Sequence, residues 1–313
     1  MRILVTGGAG FIGSHVAERL LADGHEVEVI DDLSSGSITN LPSGAPLHEL
    51  DLSLDDAVEA IRQRRPECVV HAAAQPSVAA SFADPARDAR SNILGTVNLI
   101  LGALAGGAGR FVHLTSGGAI YGEPESLPAD EEHPIRPISP YGLSKWTSER
   151  YFNLLVADPA QRVVMRLANI YGPRQRAQGE GGVIATFAER MLHRERVEIH
   201  GDGGQTRDFT FVADVADAVA RALEIGASTT VNIGTGVATS INELYAEMAA
   251  LTSYVQEPLH VPPRPGDVRN SVLAVSRAER VLGWRASTAL ADGLRTTLVW
   301  VAGSGQDASN RSR

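Results

Sequence analysis

"VTGGAGFIGSH" (residues 5–15) is the stretch on which the fold turns. It follows an apolar run, "RILVT" (2–6), and leads into a helical pattern over about 12–23. Glycines stand at Gly7, Gly10 and Gly13, with a second frame through Gly8. In a strand–loop–helix unit the first glycine permits a tight turn, the second lets backbone approach a pyrophosphate, and the third lets the helix pack on the strand. The helix N-terminus then presents unpaired N–H groups to an anion. A second strand-like run, "EVEVID" (26–31), ends in Asp31, 18 residues past Gly13. A carboxylate there accepts hydrogen bonds from an adenosine ribose and repels a 2′-phosphate, which selects NAD over NADP. Its neighbour Asp32 reads as a turn residue before "LSSG". Asp51, after the run "PLHEL", suits either the adenine end of the cofactor or a helix start before "LSLDD".

Outward from this unit, the pattern repeats. "CVVHAAA" (68–74), "RFVHLTS" (110–116) and "RVVMRLAN" (162–169) read as further strands, apolar at consecutive positions as strands buried on both faces are. Helical patterns fall between them at about 54–64, 85–105 and 141–157. The expected fold is α/β: a doubly wound parallel (Rossmann) sheet with helices on both faces. The second half is more mixed, with strands near 197–201, 207–212 and 229–234 among helices, and a Pro-rich loop "PPRPGD" (262–267). The expected division is an NAD-binding domain over 1–170, to which about 207–235 returns, and a smaller α/β substrate lobe over 171–313. The small polar tail 303–313 is expected to be disordered.

The chain has 313 residues, 43% hydrophobic and 21% charged, with a net charge of −9. That balance excludes a general nucleic-acid binder, which would be basic. No apolar run approaches the ~20 residues that span a membrane. The first residues enter a strand at once rather than a secretory signal, so a cytoplasmic setting is expected. The single cysteine, Cys68, excludes an internal disulfide and reads as a small buried hydrophobe. Nine histidines without metal-ligand spacing give no reason to expect a metal.

"SPYGLSKWTSER" (139–150) holds the only lysine among 28 Lys plus Arg. Ser139-Pro140 is an N-cap followed by proline at the first helical position. Tyr141 and Lys145 then share a helix face at i and i+4. An ammonium beside a phenol favours the phenolate, which makes Tyr141 a usable general base and acid. The same ammonium can donate to ribose hydroxyls, a task that a larger, forked guanidinium does badly.

With these two motifs in place, the chain resembles the extended short-chain dehydrogenase/reductases, and in detail the UDP-glucose 4-epimerase branch. "TGGAGFIGSH", "DDLSSG", "VVHAAAQ", "SNILGT", "TSGGAIYGE", "SPYGLSK", "RLANIYGPRQ", "GDGGQTRDF" and "RPGDVRNS" resemble that branch in order, over essentially residues 1–300. The resemblance implies interconversion of UDP-sugar C4 epimers by transient hydride transfer to bound NAD+ through a 4-keto sugar. It assigns NAD to Gly7, Gly10, Phe11, Ile12, Gly13, Asp31, Asp51, Leu52, Ala72, Asn92, Tyr141 and Lys145. It assigns the UDP-sugar to Ser116, Asn169, Arg207, Arg264, Asp267 and Ser271. It also implies a homodimer through the helices near 85–105 and 141–157. The catalytic residues would be Tyr141, Lys145 and a hydroxyl.

That hydroxyl marks a departure. Family members carry Ser or Thr five residues before the glycine of "YG", and here that position is Gly117. Ser116 and Thr115 stand one and two places earlier, and Ser116 is the expected substitute. Nucleotide-sugar 4,6-dehydratases carry Asp-Glu after the hydroxyl, whereas Gly118 and Ala119 stand here, leaving elimination without a general acid. At the position seven after Arg264, where a large residue narrows the family's sugar pocket, this chain has Ser271. UDP-GlcNAc/GalNAc are therefore expected beside UDP-Glc/Gal. UDP-glucuronate or UDP-pentose epimerases, decarboxylases and a non-catalytic NAD-binding regulator are the alternatives.

Overall fold

The computed structural model describes residues 1–177, 182–263 and 266–310. Strands β1 (Arg2–Thr6), β2 (Glu26–Asp31), β3 (Leu47–Glu49), β4 (Cys68–His71), β5 (Arg110–Ser116) and β6 (Gln161–Leu167) alternate with helices. These are α1 (Phe11–Ala22), α2 (Ala57–Arg64), α3 (Val78–Ala83), α4 (Pro85–Ala89), α5 (Gly95–Ala105), α6 (Gly117–Ile120) and α7 (Pro140–Leu155). The second half adds β7 (Asn169–Tyr171), β8 (Glu198–His200), β9 (Thr206–Arg207), β10 (Phe209–Phe211), β11 (Thr229–Ile233), β12 (Thr239–Ser240), β13 (Leu259–Val261) and β14 (Asn270–Ser271). Its helices are α8 (Val183–Leu192), α9 (Val212–Ala222), α10 (Ile241–Thr252), α11 (Ser276–Leu282) and α12 (Leu290–Asn310).

The main sheet has the order β11-β6-β5-β4-β1-β2-β3, and every pair in it is parallel. The order reverses between β1 and β4, where Thr6 lies opposite both Ile30 and His71. A crevice for a ligand forms outside the strand ends at such a switch point. Side chains alternate across the sheet as the pleat requires. Ile3 and Val5 join the core with Val16, Val29, Val70 and Met165, while Leu4 points to the other face with Ile61, Val69, Phe111 and Phe152. Each such side chain contributes about 1.5–3 kcal/mol on burial, enough together to fix the register.

The second lobe is built from small sheets, β12-β9-β14, β13-β8 and β10-β7. Its core gathers Ile184, Phe187, Met191, Leu244, Met248, Leu294 and Leu298. The chain crosses back to the first core more than once. β11 pairs with β6, α9 packs on α1, and Leu282 and Trp284, at and just past the end of α11, join the same core where α11 packs on β11 and α9. The return thus extends beyond 207–235, while Arg207 and 209–211 within that range pair in the small sheets instead.

Four local differences from expectation have physical causes. The 85–105 helix is α4, one π-helical turn over Arg90–Leu94, and α5. The strand at 68–74 stops at His71, so Ala72–Ala74 are free to line the crevice. The run 162–169 breaks at Ala168, whose N–H bonds Ile233, and Asn169 starts a pairing with Phe209. The tail expected to be disordered continues α12 through Asn310, and its last residues, 311–313, lie outside the described residues: Leu294 and Leu298 anchor the earlier turns, Ser304 bonds back to Trp300, and a nucleated helix extends at little cost. Among the described residues no helix is long and apolar enough to cross a membrane, and no metal-ligating cluster occurs.

Candidate active site

A cleft of about 1020 Å³ opens at the strand ends of the main sheet. One end is lined by Gly7, Gly10, Phe11, Ile12, Gly13, Asp31, Asp51, Leu52 and Ala72. The other is lined by Ser116, Tyr141 and Asn169. The glycine loop is tight where expected. Gly7 has φ +70°, and a Cβ there would lie 2.6 Å from Ala73 N. A Cβ on Gly13 would lie 2.1 Å from the Gly7 carbonyl oxygen. Gly10 caps α1 without a side-chain bond, and the first turn carries no acid, so its N–H groups are open to a pyrophosphate. Asp31 accepts from Ala9 N (2.9 Å) and Leu33 N (2.9 Å), tying the loop to β2. Burial raises its pKa, and those two N–H bonds oppose the rise. Asp32 accepts from Ser34 N (3.0 Å) as a turn residue. Asp51 lines the cleft while accepting from Ser53 N (2.8 Å), so its side chain both shapes a turn and faces the ligand space. These residues fit a dinucleotide with an unmodified adenosine ribose.

Helix α7 begins as its sequence dictates: Ser139 Oγ accepts from Gly142 N (3.1 Å) and Pro140 occupies the first turn. This cap fixes Tyr141 at the cleft wall, one turn from Lys145. Lys145 is 4% exposed and its Nζ donates to Leu114 O (2.8 Å). Burial pushes its pKa down to about 8, against the raising influence of Asp88 and Glu149. Asn92, on the π turn, is buried and bonds Gln75, Asp88 and Ser144 rather than lining the cleft. A π turn displaces the helix register locally and recurs at functional sites.

The hydroxyl question has a steric answer. A Cβ on Gly117 would lie 2.7 Å from Leu273 Cδ1 and 2.9 Å from Cδ2, so Leu273 occupies the space of a side chain there. Thr115 is buried, with its hydroxyl directed at Glu149 Oε2 (3.5 Å). Ser116 lines the cleft at the end of β5 and makes no side-chain cap bond to α6. Gly118 has room: a Cβ would lie 3.5 Å from Ser271 Oγ and 3.7 Å from Asn169 Oδ1, which places those two groups side by side. Arg207 donates to Thr206 O (2.8 Å); burial lowers its pKa, and the nearby carboxylates of Asp267 and Glu123 oppose this. Asp267 is exposed, Ser271 is buried, and Arg264 lies outside the described residues.

The chain matches the model of the NAD dependent epimerase/dehydratase family over residues 3–234. The chain belongs to that family. It is 44% identical over 307 residues to a UDP-glucose 4-epimerase of Mycolicibacterium smegmatis, covering 95% of this chain and 97% of the relative. The fold is similar to that of a UDP-glucose 4-epimerase of Thermotoga maritima, solved with UDP-glucose, with TM-score 0.94 and 43% identity over 97% of this chain and 99% of that one. It is also similar to a Thermus thermophilus UDP-glucose 4-epimerase complexed with NAD, with TM-score 0.91 and 41% identity over 97% of this chain and 100% of that one.

The loop after Tyr171 adds residues to the site that had no role assigned from the sequence. Arg174 and Gln175 line the cleft. Arg174 has φ +70° and is held to α1 through Ser14 Oγ (3.3 Å) and Glu18 Oε2 (2.6 Å), and Pro173 O bonds His15 Nε2 (2.9 Å). "RLANIYGPRQ" carried the resemblance, but nothing local in it marks a contact to Glu18 made across 156 residues. Arg87 and Arg90 also line the cleft, and on a helix such charges read as solvated.

Proposed function

We propose that the protein interconverts UDP-glucose and UDP-galactose, with UDP-GlcNAc and UDP-GalNAc also accepted. The observation that carries this reading is that Tyr141 opens onto the same cleft as the glycine loop, Asp31, Ser116 and Asn169. Bound NAD supplies a reversible hydride acceptor. Gly7, Gly10, Gly13 and the start of α1 hold its pyrophosphate, and Asp31 its adenosine ribose. Tyr141 takes the proton of the sugar 4-hydroxyl and returns it after the sugar has turned over. Lys145 favours the phenolate of Tyr141 and donates to the nicotinamide ribose. Ser116 holds the 4-oxygen from a position one residue before the family's usual hydroxyl. Arg207, Arg264 and Asp267 anchor UDP, so remote binding energy positions a sugar that makes few contacts of its own and can rotate. Asn169 and Ser271 flank the sugar, and the small Ser271 leaves room for a 2-acetamido group.

Incubation with UDP-galactose, UDP-GalNAc and UDP-glucuronate, with products separated by HPLC, tests this. Conversion of both of the first two is expected. Turnover of UDP-galactose alone removes the acetamido reading, and turnover of UDP-glucuronate alone replaces the substrate assignment. A homodimer through α5 and α7 is part of the same proposal: the two helices pack together and expose Leu101, Leu143, Tyr151 and Leu154. The buried thiol of Cys68 suits a cytoplasmic setting.

A further inference from the structure

Asp88 is 1% exposed, and nothing in the proposed chemistry uses it. A buried carboxylate is costly unless it is bonded and faces a positive charge. Its Oδ1 accepts from Gln75 Nε2 (2.8 Å) and Asn92 Nδ2 (3.1 Å). Gln75 N donates to Asn92 Oδ1 (2.8 Å), and Gln75 Oε1 accepts from Ser77 N (2.6 Å), so the cleft-lining segment Gln75–Ser77 is fixed from beneath. Asn92 Nδ2 reaches Ser144 Oγ (3.0 Å), whose hydroxyl donates to Tyr141 O (3.0 Å). One carboxylate therefore joins α4, the π turn, the cofactor-side loop and the first turn of α7.

We propose that Asp88 is a positioning residue that holds the Gln75–Ser77 loop and Asn92 against α7 and supplies the negative charge opposite Lys145. The other groups around Lys145 do not replace that charge. Glu149, on its own helix, is paired with Arg166 of β6 at 2.6 Å. His71 of β4 and His113 of β5 are buried and stacked on each other, and burial, reinforced by Lys145, keeps both neutral at working pH. Tyr141 lies one turn away on the same face. Helix α4 packs on α7, which sets Asp88 on the side of α7 that Asn92 and Ser144 share, and its charge favours the ammonium of Lys145.

The consequence for catalysis rests on the role given to Lys145 above, but the test does not. Lys145 is the only lysine, so selective 13C-lysine labelling gives one titrating resonance, read without substrate. In Asp88→Asn, which keeps an acceptor for Gln75 and Asn92, the Lys145 midpoint is expected to fall by about one pH unit. The alkaline limb of kcat should fall with it, while Ser144→Ala should leave the midpoint in place. A midpoint unmoved in Asp88→Asn overturns the proposal, whatever the activity does. A moved midpoint with no epimerase activity in the wild type keeps the charge role and sinks the functional reading instead. Should Asp88→Asn fail to fold, Asp88→Glu decides. It keeps the charge and loses the geometry, so a midpoint held at the wild-type value supports the role, and one that falls overturns it.

Discussion

Lys145 on α7 and Arg166 on β6 are both 4% exposed and both sit near Glu149, yet they are held in opposite ways. Arg166 is fully engaged. Its Nε and Nη2 donate to the two oxygens of Glu149 at 3.1 and 2.6 Å, Nη1 donates to Tyr121 Oη and Glu131 O, and the guanidinium lies over Tyr121 and Trp146. Burial pulls its pKa down, but the Glu149 hydrogen bonds and charge outweigh that, so it stays cationic. Among the described residues Lys145 donates to a single partner, a carbonyl, and burial wins. A satisfied buried cation is glue, whereas an under-satisfied one keeps donor capacity that a ligand can use.

The largest effect should come from confusing the two designs. Lys145→Arg keeps the charge but not the shape, and kcat for UDP-galactose is expected to fall ~10²–10⁴-fold, the range for losing a tuned acid–base group. Tyr141→Phe should lose a similar factor, and near-normal turnover in either variant would break the comparison. On the structural side, Arg166→Met strands the Glu149 carboxylate and should cost about 3–5 kcal/mol in urea unfolding, because an unpaired buried charge is left behind. A loss below about 1 kcal/mol would mean the pair is ornamental.

The pH dependence sharpens the contrast further. Lys145 is lowered to about 8 in the folded chain from an ordinary 10.5, so between those values the unfolded state binds more protons. Stability gains from this group as pH rises through that window, and below about 8 its burial costs most. Lys145→Met should therefore be more stable than wild type near neutrality, and the difference should shrink towards pH 10.5. A constant difference across that range would show the lysine is not strained by burial. The smallest effect concerns the hydroxyl: Gly117→Ser should cost about 1–3 kcal/mol by overpacking Leu273, and Leu273→Ala should recover part of it.

What could be read in the sequence was local. The glycine spacing, Asp31 at a strand end, the Ser139-Pro140 cap and the Tyr141–Lys145 face are each set within a few residues, where propensity and periodicity act. What could not be read depends on partners far along the chain. Leu273 fills the place beside Gly117, Arg174 straps to Glu18, and Asp88 has meaning only once Gln75 and Ser144 are beside it. The tail belongs with these: its polar composition resembles a coil, while α12 continues from turns held by the packing of Leu294 and Leu298.

The return of β11, α9 and Trp284 to the first core bears on how this chain is made. A ribosome that has released the first 200 residues has exposed the β5–β6 half of the sheet with an unpaired edge at β6 and α1 without the helix that covers it. The domain that looks N-terminal on a linear map is finished near residue 284. During synthesis it is an open sheet, so a stalled or truncated chain should be a client for chaperones rather than a small working half-enzyme.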